Sequence, residues 1–89
     1  MELQEHRLKR LAMRSWRRGT KEMDLVLGPF ADARLAAMAE AEVRLYDLLL
    51  EENDQDLALW VMGVTPSPGR FAALIAEISG FAGERLRQR

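Results

Sequence analysis

The side chains best suited to bind another molecule lie between residues 14 and 22. Arg14, Arg17 and Arg18 precede Gly19, and Glu22 follows that glycine by three residues. Guanidinium groups bind carboxylates and phosphates through paired hydrogen bonds, and a glycine lets a partner approach the backbone closely. The segment therefore suggests a binding site. A solvated basic face, a glycine that ends a helix and an acid that suits the helix dipole would explain the same residues without any partner.

Groups that could support catalysis are few. His6 is the only histidine, has no acid or thiol motif nearby and is expected to be an exposed polar residue. Cysteine is absent, so a metal site built from histidine and cysteine lacks its ligands. No glycine-rich phosphate loop occurs, and packing or capping explains each serine. We therefore predict no catalytic residue, no bound metal and no cofactor of its own, and expect that the chain is not an enzyme.

Charge is unevenly distributed along the 89 residues, although the net charge is only −1. Residues 1–21 are rich in Lys and Arg, residues 22–66 are rich in Asp and Glu, and the segment from residue 67 onward is basic again. Such segregation can steer a charged partner toward a protein, or it can simply place each charge in solvent. Both interpretations remain open from the sequence.

No segment resembles a targeting signal or a membrane anchor. Charged residues interrupt the start of the chain, where a secretory signal needs an apolar stretch of roughly 7–15 residues. No run approaches the ~20 apolar residues of a membrane-spanning helix, and Glu2 and Glu5 argue against a mitochondrial presequence. The chain is expected to be complete, cytoplasmic and not inserted in a membrane.

Helical periodicity recurs along the whole chain, and helix-forming residues dominate the composition. The pattern predicts an all-α fold, a compact antiparallel bundle of five short helices that forms a single domain over residues 1–89. The predicted helices cover residues 3–16, residues 21 to about 27, residues 36–51, a short stretch between Asp54 and Gly63, and residues 68–86.

Local signals mark the ends of these helices. Thr20 is a suitable N-cap for the second helix, Asp54 for the fourth, and Ser67 with its following proline for the fifth. Gly28–Pro29 predicts that the second helix ends or kinks near Leu27, because proline lacks a backbone N–H and clashes with the preceding turn. The residues of the third helical segment expected to face the core are Met38, Ala41, Leu45, Leu48 and Leu49.

Two segments of the sequence resemble the SdhE family, the FAD assembly factors of succinate dehydrogenase in bacteria and mitochondria. The first segment is Leu11–Asp24, with the pattern L-x-x-R-S-x-R-R-G-x-x-E-x-D. The second is Asp54–Trp60, with the pattern D-x-D-L-x-x-W. The resemblance implies a five-helix fold whose second helix continues through Gly28–Pro29, in conflict with the break predicted from the proline.

The resemblance also implies a function. Family members bind the flavoprotein subunit of succinate dehydrogenase, and in some bacteria that of fumarate reductase, and promote covalent attachment of FAD to it. Arg18, Gly19 and Glu22 would contact the flavoprotein, with Arg17 beside them and Asp24 as a weaker candidate. FAD would belong to the partner. Loss of Arg18 or charge reversal at Glu22 is then expected to weaken flavinylation without unfolding the chain.

Two other functions compete with this interpretation. A small helical adaptor would bind a partner through the acidic middle of the chain. A nucleic-acid-binding domain would use the basic N-terminal helix and Trp16 to contact phosphates and bases. The second alternative is weakened by the acidic middle, which would repel a duplex, and no nucleic acid is expected as a partner.

Overall fold

The computed structural model describes residues 2–87, which form five α-helices joined by short connections and contain no β-strand. The predicted all-α fold of five helices is thereby confirmed. Within residues 2–87 no helix is both long enough and apolar enough to cross a membrane. The helices are α1 (Gln4–Trp16), α2 (Lys21–Arg34), α3 (Glu40–Leu49), α4 (Asp54–Val61) and α5 (Ala72–Arg87), with single 3-10 turns at Leu35–Ala37 and Gly69–Phe71.

One hydrophobic core receives side chains from all five helices. Each fully buried leucine or isoleucine contributes about 1.5–3 kcal/mol relative to an exposed one, which matters in a chain without cysteine. Partly buried side chains, including Trp60, complete the cluster from its margins. The fully buried apolar representatives of the five helices include Leu11, Leu27, Val43, Leu57 and Ile78.

The pairing of α2 with α5 is antiparallel. Phe30, in the second half of α2, contacts Phe81 edge to face with ring centroids 5.8 Å apart. Val26, one turn earlier in α2, shares a groove with Leu86, which lies later in α5. Rising residue numbers in α2 therefore meet falling numbers in α5, as the predicted antiparallel bundle requires.

Helix α2 continues through Gly28–Pro29 to Arg34, so the prediction that it ends near Leu27 is wrong and the family resemblance gave the better expectation. The apolar residues on both sides of the proline explain the difference. Leu27, Phe30 and Ala31 are all at least 98% buried. Their burial requires a single helical register and offsets the roughly 3 kcal/mol that an interior proline costs a helix.

The absence of a side chain at Gly28 lets α1 and α2 approach closely. The indole of Trp16 rests on the α2 backbone at this position, where a Cβ would overlap the ring. The indole N–H donates a hydrogen bond to the Asp32 carboxylate at 3.1 Å, one turn farther along α2. Trp16 therefore fixes the crossing of the two helices through both a steric and a polar contact.

Gly28→Ala is expected to lower the free energy of unfolding by about 1–3 kcal/mol, because the added methyl group would collide with the Trp16 ring. Gly80→Ala is the matched control, since Gly80 is also helical but has open space around its Cβ position. The control should raise stability by about 0.5–1 kcal/mol. Urea unfolding followed by circular dichroism measures both. Equal effects would show that the Trp16 contact does not constrain Gly28.

Helix α3 begins at Glu40 and not at Ala36 as predicted, because Leu35–Ala37 form a 3-10 turn that continues α2. Ala39 has an extended backbone and marks the new start. Its N–H donates to the Glu42 carboxylate at 3.2 Å, which satisfies a donor that the helix leaves free.

The predicted core face of α3 is also partly wrong. Leu49 is buried as expected, whereas Ala41 and Leu48 face solvent. Val43 and Tyr46 occupy the core instead. Val43, Tyr46 and Leu49 recur at three-residue spacing and form one buried stripe, and Ala41 and Leu48 lie off that stripe.

The cap predictions had mixed outcomes. The Thr20 hydroxyl accepts the Met23 N–H at 3.3 Å, as predicted. Helix α4 is capped by Asn53, whose side chain accepts the Asp56 N–H at 2.8 Å, and not by Asp54. The prediction of Ser67 as a cap is wrong, because the following proline is extended and a 3-10 turn precedes the α-helix, which begins at Ala72.

Candidate functional site

A row of four arginines along one side of α1 and the turn after it pairs with acids of α3 and α4. We call these residues the arginine row. The hydrogen bond from Arg10 lowers the pKa of the Asp47 carboxyl. The ionised Asp47 carboxylate therefore stabilises the fold at neutral pH, and this stabilisation is lost as the pH falls through the lowered pKa. The pairs are Arg7–Glu40 (2.8 Å), Arg10–Asp47 (3.1 Å), Arg14–Asp47 (3.0 Å) and Arg18–Asp54 (2.8 Å).

The arginine row explains much of the charge segregation in the sequence. The basic N-terminal segment and the acidic middle are joined by these ion pairs in the folded chain, so a large part of their charge is paired. This pairing reduces the positive charge that α1 would offer to phosphates. It therefore removes the main support for nucleic-acid binding through the N-terminal helix.

Arg18 is the most enclosed member of the arginine row, with only 9% of its side chain exposed. Its guanidinium donates to Asp54 Oδ1 at 2.8 Å, to the Leu50 carbonyl at 2.6 Å and to the Glu52 carbonyl at 2.7 Å. Those carbonyls follow the end of α3, where backbone acceptors lack helical partners. Arg18 thus holds the end of α3 and the start of α4 against the turn after α1.

The turn between α1 and α2 is held by its own backbone contacts as well. The Arg18 N–H donates to the Asp24 carboxylate at 2.6 Å, and Asp24 is half-buried. Gly19 has φ +116°, a conformation that other residues rarely adopt. A Cβ at Gly19 would meet only Asp54 Oδ2 at 3.5 Å, an ordinary contact. Backbone conformation, and not lack of space, is therefore what requires glycine.

The five residues singled out from the sequence fall into two groups. Arg17, Gly19 and Glu22 are exposed on the surface of the turn and the first turn of α2. Among residues 2–87, no oppositely charged group lies within ion-pair distance of Arg17 or Glu22. Arg18 and Asp24 are directed inward and bind other parts of the chain. We call the exposed group, Arg17, Gly19 and Glu22, the surface turn.

Two shallow grooves flank the surface turn. One, of about 350 Å³, is lined by Arg10, Met13, Arg14, Arg17 and Arg18, with Met13 45% exposed. The other lies between α2 and α5 and includes Glu22. Sequence reasoning did not identify the apolar residues of either groove, although leucines and methionines off the core-facing stripe were the available signal.

Asp54 supports the candidate site, and sequence reasoning assigned it to a different role. It was interpreted as a helix cap, but Asn53 caps α4 and Asp54 binds Arg18 instead. The acidic pattern in Asp54–Trp60 was the available signal. Its connection to Arg18 depends on how α4 is placed beside α1, which local sequence does not reveal.

Below the arginine row, a buried hydrogen-bonded chain joins α1 to α3. The Ser15 hydroxyl donates to the Leu11 carbonyl at 2.8 Å, and its oxygen lies 2.6 Å from the Tyr46 hydroxyl. Because serine has one hydroxyl hydrogen, Tyr46 is the donor in the second bond. Burial raises the pKa of Tyr46 to about 12. Both hydroxyl groups have hydrogen-bond partners, so this contact helps to fix the relative position of α1 and α3 without leaving a buried polar group unsatisfied.

Alkaline titration should reveal the burial of Tyr46. Unfolded tyrosine ionises near pH 10.0, while the pKa of folded Tyr46 is about 12. Stability is therefore full below pH 10, decreases as pH rises through that window, and loses on the order of 2–3 kcal/mol by its end. Tyr46 is the only tyrosine, so phenolate absorbance reports it directly. Tyr46→Phe should remove this pH dependence, and a midpoint near pH 10 in the folded chain would contradict the assignment.

The remaining candidates for chemistry are dispersed. His6 is exposed on α1, as predicted. Within the described part of the chain, residues 2–87, no three of His, Cys, Asp and Glu come together in an arrangement that could hold a metal ion. The surface turn and its supports are thus the arrangement best suited to an interaction.

The chain is similar to a known protein family and to several named proteins. Residues 9–82 match the family described as flavinator of succinate dehydrogenase. The chain is 36% identical over 85 residues to the mitochondrial succinate dehydrogenase assembly factor 2 of Mycosarcoma maydis, which covers 96% of this chain and 35% of that protein. For the protein of the same name from Drosophila grimshawi, identity is 38% over 74 residues, or 81% of this chain and 50% of the relative.

A bacterial protein is also similar. The FAD assembly factor SdhE of Aliivibrio fischeri is 47% identical over 47 residues, which covers 53% of this chain and 55% of that protein. The chain therefore spans about half or less of the length of the curated relatives it matches.

Proposed function

The chain belongs to the family of succinate dehydrogenase flavinators, and we propose that it binds the flavoprotein subunit of succinate dehydrogenase and promotes covalent attachment of FAD to it. The family match over residues 9–82 confirms the resemblance to SdhE seen in the sequence. The observation that carries the proposal is the surface turn. Arg17, Gly19 and Glu22 are exposed, while Arg18 and Asp24 hold them in place from below.

The two groups of residues have different roles in this proposal. Arg17 and Glu22 offer opposite charges on either side of Gly19, which complements a flavoprotein surface that carries both a carboxylate and a cation. Arg18 and Asp24 are positioning residues whose hydrogen bonds order the turn before the partner arrives. A turn that is already ordered loses less conformational entropy on binding, which favours affinity.

The proposed action is not enzymatic. The chain would hold a loop or domain of the immature flavoprotein in the geometry in which the flavin linkage forms, supplying orientation and no reacting group. FAD would remain the cofactor of the partner. Glu22 and Arg17 lie on an open surface and not in a water-excluded cleft. In this proposal they therefore bind the partner and do not act as a catalytic acid or base.

Reconstitution tests this function. Purified flavoprotein subunit lacking flavin is incubated with FAD, with and without the chain, then denatured and separated by electrophoresis. In-gel flavin fluorescence should be strong only where the chain is present. Equal fluorescence in both samples would overturn the proposal. A chain with Glu5→Lys, a change far from the surface turn on the exposed first turn of α1, should be as active as wild type.

A further inference from the structure

A groove between the beginning of α2 and the end of α5 has Glu22 on its edge. We call it the α2–α5 groove. It measures about 320 Å³, at the small end of the ~300–1,000 Å³ typical of ligand pockets, so it suits one large side chain better than a cofactor. Its lining combines apolar side chains with one acid and one base, namely Glu22, Leu25, Val26, Ala82, Arg85 and Leu86.

Two leucines of the α2–α5 groove are unusually exposed. Leu25 is 50% exposed and Leu86 is 68% exposed, although the core is adjacent. They lie on opposite walls because Leu25 belongs to α2 and Leu86 to α5, so together they present apolar surface to one incoming group. Clustered exposed apolar side chains with a polar rim are typical of interaction sites.

The charged residues on the rim define the occupant more closely. Glu22 and Arg85 form no ion pair with any residue in the described range 2–87, whereas the arginine row is fully paired. The groove therefore has a free carboxylate on the α2 side and a free guanidinium on the α5 side, so a large apolar side chain whose neighbouring cation lies toward the α2 side complements it. Glu22 also belongs to the surface turn, so a partner that contacts the turn necessarily covers this edge of the groove.

We propose that the α2–α5 groove binds a flavoprotein segment that inserts one large apolar side chain between Leu25 and Leu86 and places an adjacent basic residue against Glu22. This inference rests on the proposed function and extends it, because it adds α5 to the docking surface. Leu25, Ala82 and Leu86 then determine which segment of the partner is accepted.

The test compares two leucines of nearly equal exposure. Leu25→Ser should raise the Kd for the flavin-free flavoprotein subunit about tenfold, because it removes the apolar contact. Leu48→Ser is the matched control, since Leu48 is 51% exposed but lies on α3 outside the groove. Its Kd should equal that of wild type. Isothermal titration calorimetry measures each Kd, and circular dichroism verifies that both variants are folded.

A second pair of variants fills the α2–α5 groove instead of emptying it. Ala82→Trp places a large side chain in the groove and should block binding, while Ala76→Trp, at an exposed position of the same helix, should not. Unchanged binding by both Leu25→Ser and Ala82→Trp, with wild type binding normally, would overturn the groove proposal and leave the proposed function standing. If wild type itself does not bind the flavoprotein, the proposed function fails and the groove proposal fails with it.

Discussion

Replacing Arg18 with alanine is expected to lower the free energy of unfolding by about 3 kcal/mol. The substitution removes three side-chain hydrogen bonds at once and leaves Asp54, only 14% exposed, without its counter-charge. It also removes the Arg18 donor from the Glu52 carbonyl and leaves the Leu50 carbonyl with only its longer bond from Arg14, at 3.3 Å. Urea unfolding followed by circular dichroism measures the loss.

Arg17→Ala is the matched control for this prediction. Arg17 is the neighbouring arginine, but it is exposed, so its loss should change stability by no more than about 0.5 kcal/mol. Arg18→Lys keeps the charge but cannot reproduce the fork of donors, so it should recover only part of the stability. If Arg18→Ala were as stable as Arg17→Ala, the inward role of Arg18 would be wrong.

This prediction revises the expectation drawn from the resemblance. The resemblance implied that loss of Arg18 would weaken flavinylation while the fold stayed intact. The contacts of Arg18 indicate instead that activity and stability fall together. A double-mutant cycle with Asp54→Asn would apportion the effect, because the two substitutions should be strongly non-additive if they break the same pair.

Glu22→Lys is expected to abolish most of the flavinylation activity while the chain stays folded. Glu22 is exposed, and reversal of its charge at the beginning of α2 should cost at most about 1 kcal/mol of stability through the helix dipole. Binding, in contrast, loses an attraction and gains a repulsion against the cation proposed to face Glu22. The readouts are in-gel flavin fluorescence for activity and urea unfolding for stability.

Glu5→Lys provides the matched control for Glu22→Lys. Both glutamates lie in the first turn of a helix, both are exposed, and both substitutions change the net charge by the same amount. Equal loss of activity in the two variants would attribute the effect to overall charge and would contradict a specific role for Glu22. Full activity of Glu22→Lys would remove Glu22 from the proposed contact.

Local signals in the sequence were sufficient for most of the fold. The extent of α1 and the Thr20 cap were both predicted correctly, because each depends on residues within one or two turns. The path through Pro29 was not, since it depends on the burial of Phe30 and Ala31 against other helices. Tertiary packing there outweighs a local preference against helix.

In the candidate site, too, local features could be predicted from the sequence, whereas contacts between distant residues could not. Gly19 was interpreted as a glycine that could end a helix, and its φ of +116° lies in the region that favours glycine. The arginines themselves were visible in the sequence, but Arg10, Arg14 and Arg18 bind Asp47 or Asp54, which lie more than 30 residues away. Which arginine faces inward depends on the register of α3, the element whose beginning and core face were predicted least well.

The hydrogen bonds of Arg18 have a consequence for the order in which the molecule matures. They join residue 18 to carbonyls and a carboxylate 32 to 36 positions later in the chain. Closing so long a loop is entropically costly and cannot precede the placement of α3 and the start of α4. A growing chain that has not yet reached residue 54 therefore lacks the Arg18–Asp54 pair, and the turn after α1 is then held only by local contacts such as that between the Arg18 N–H and Asp24.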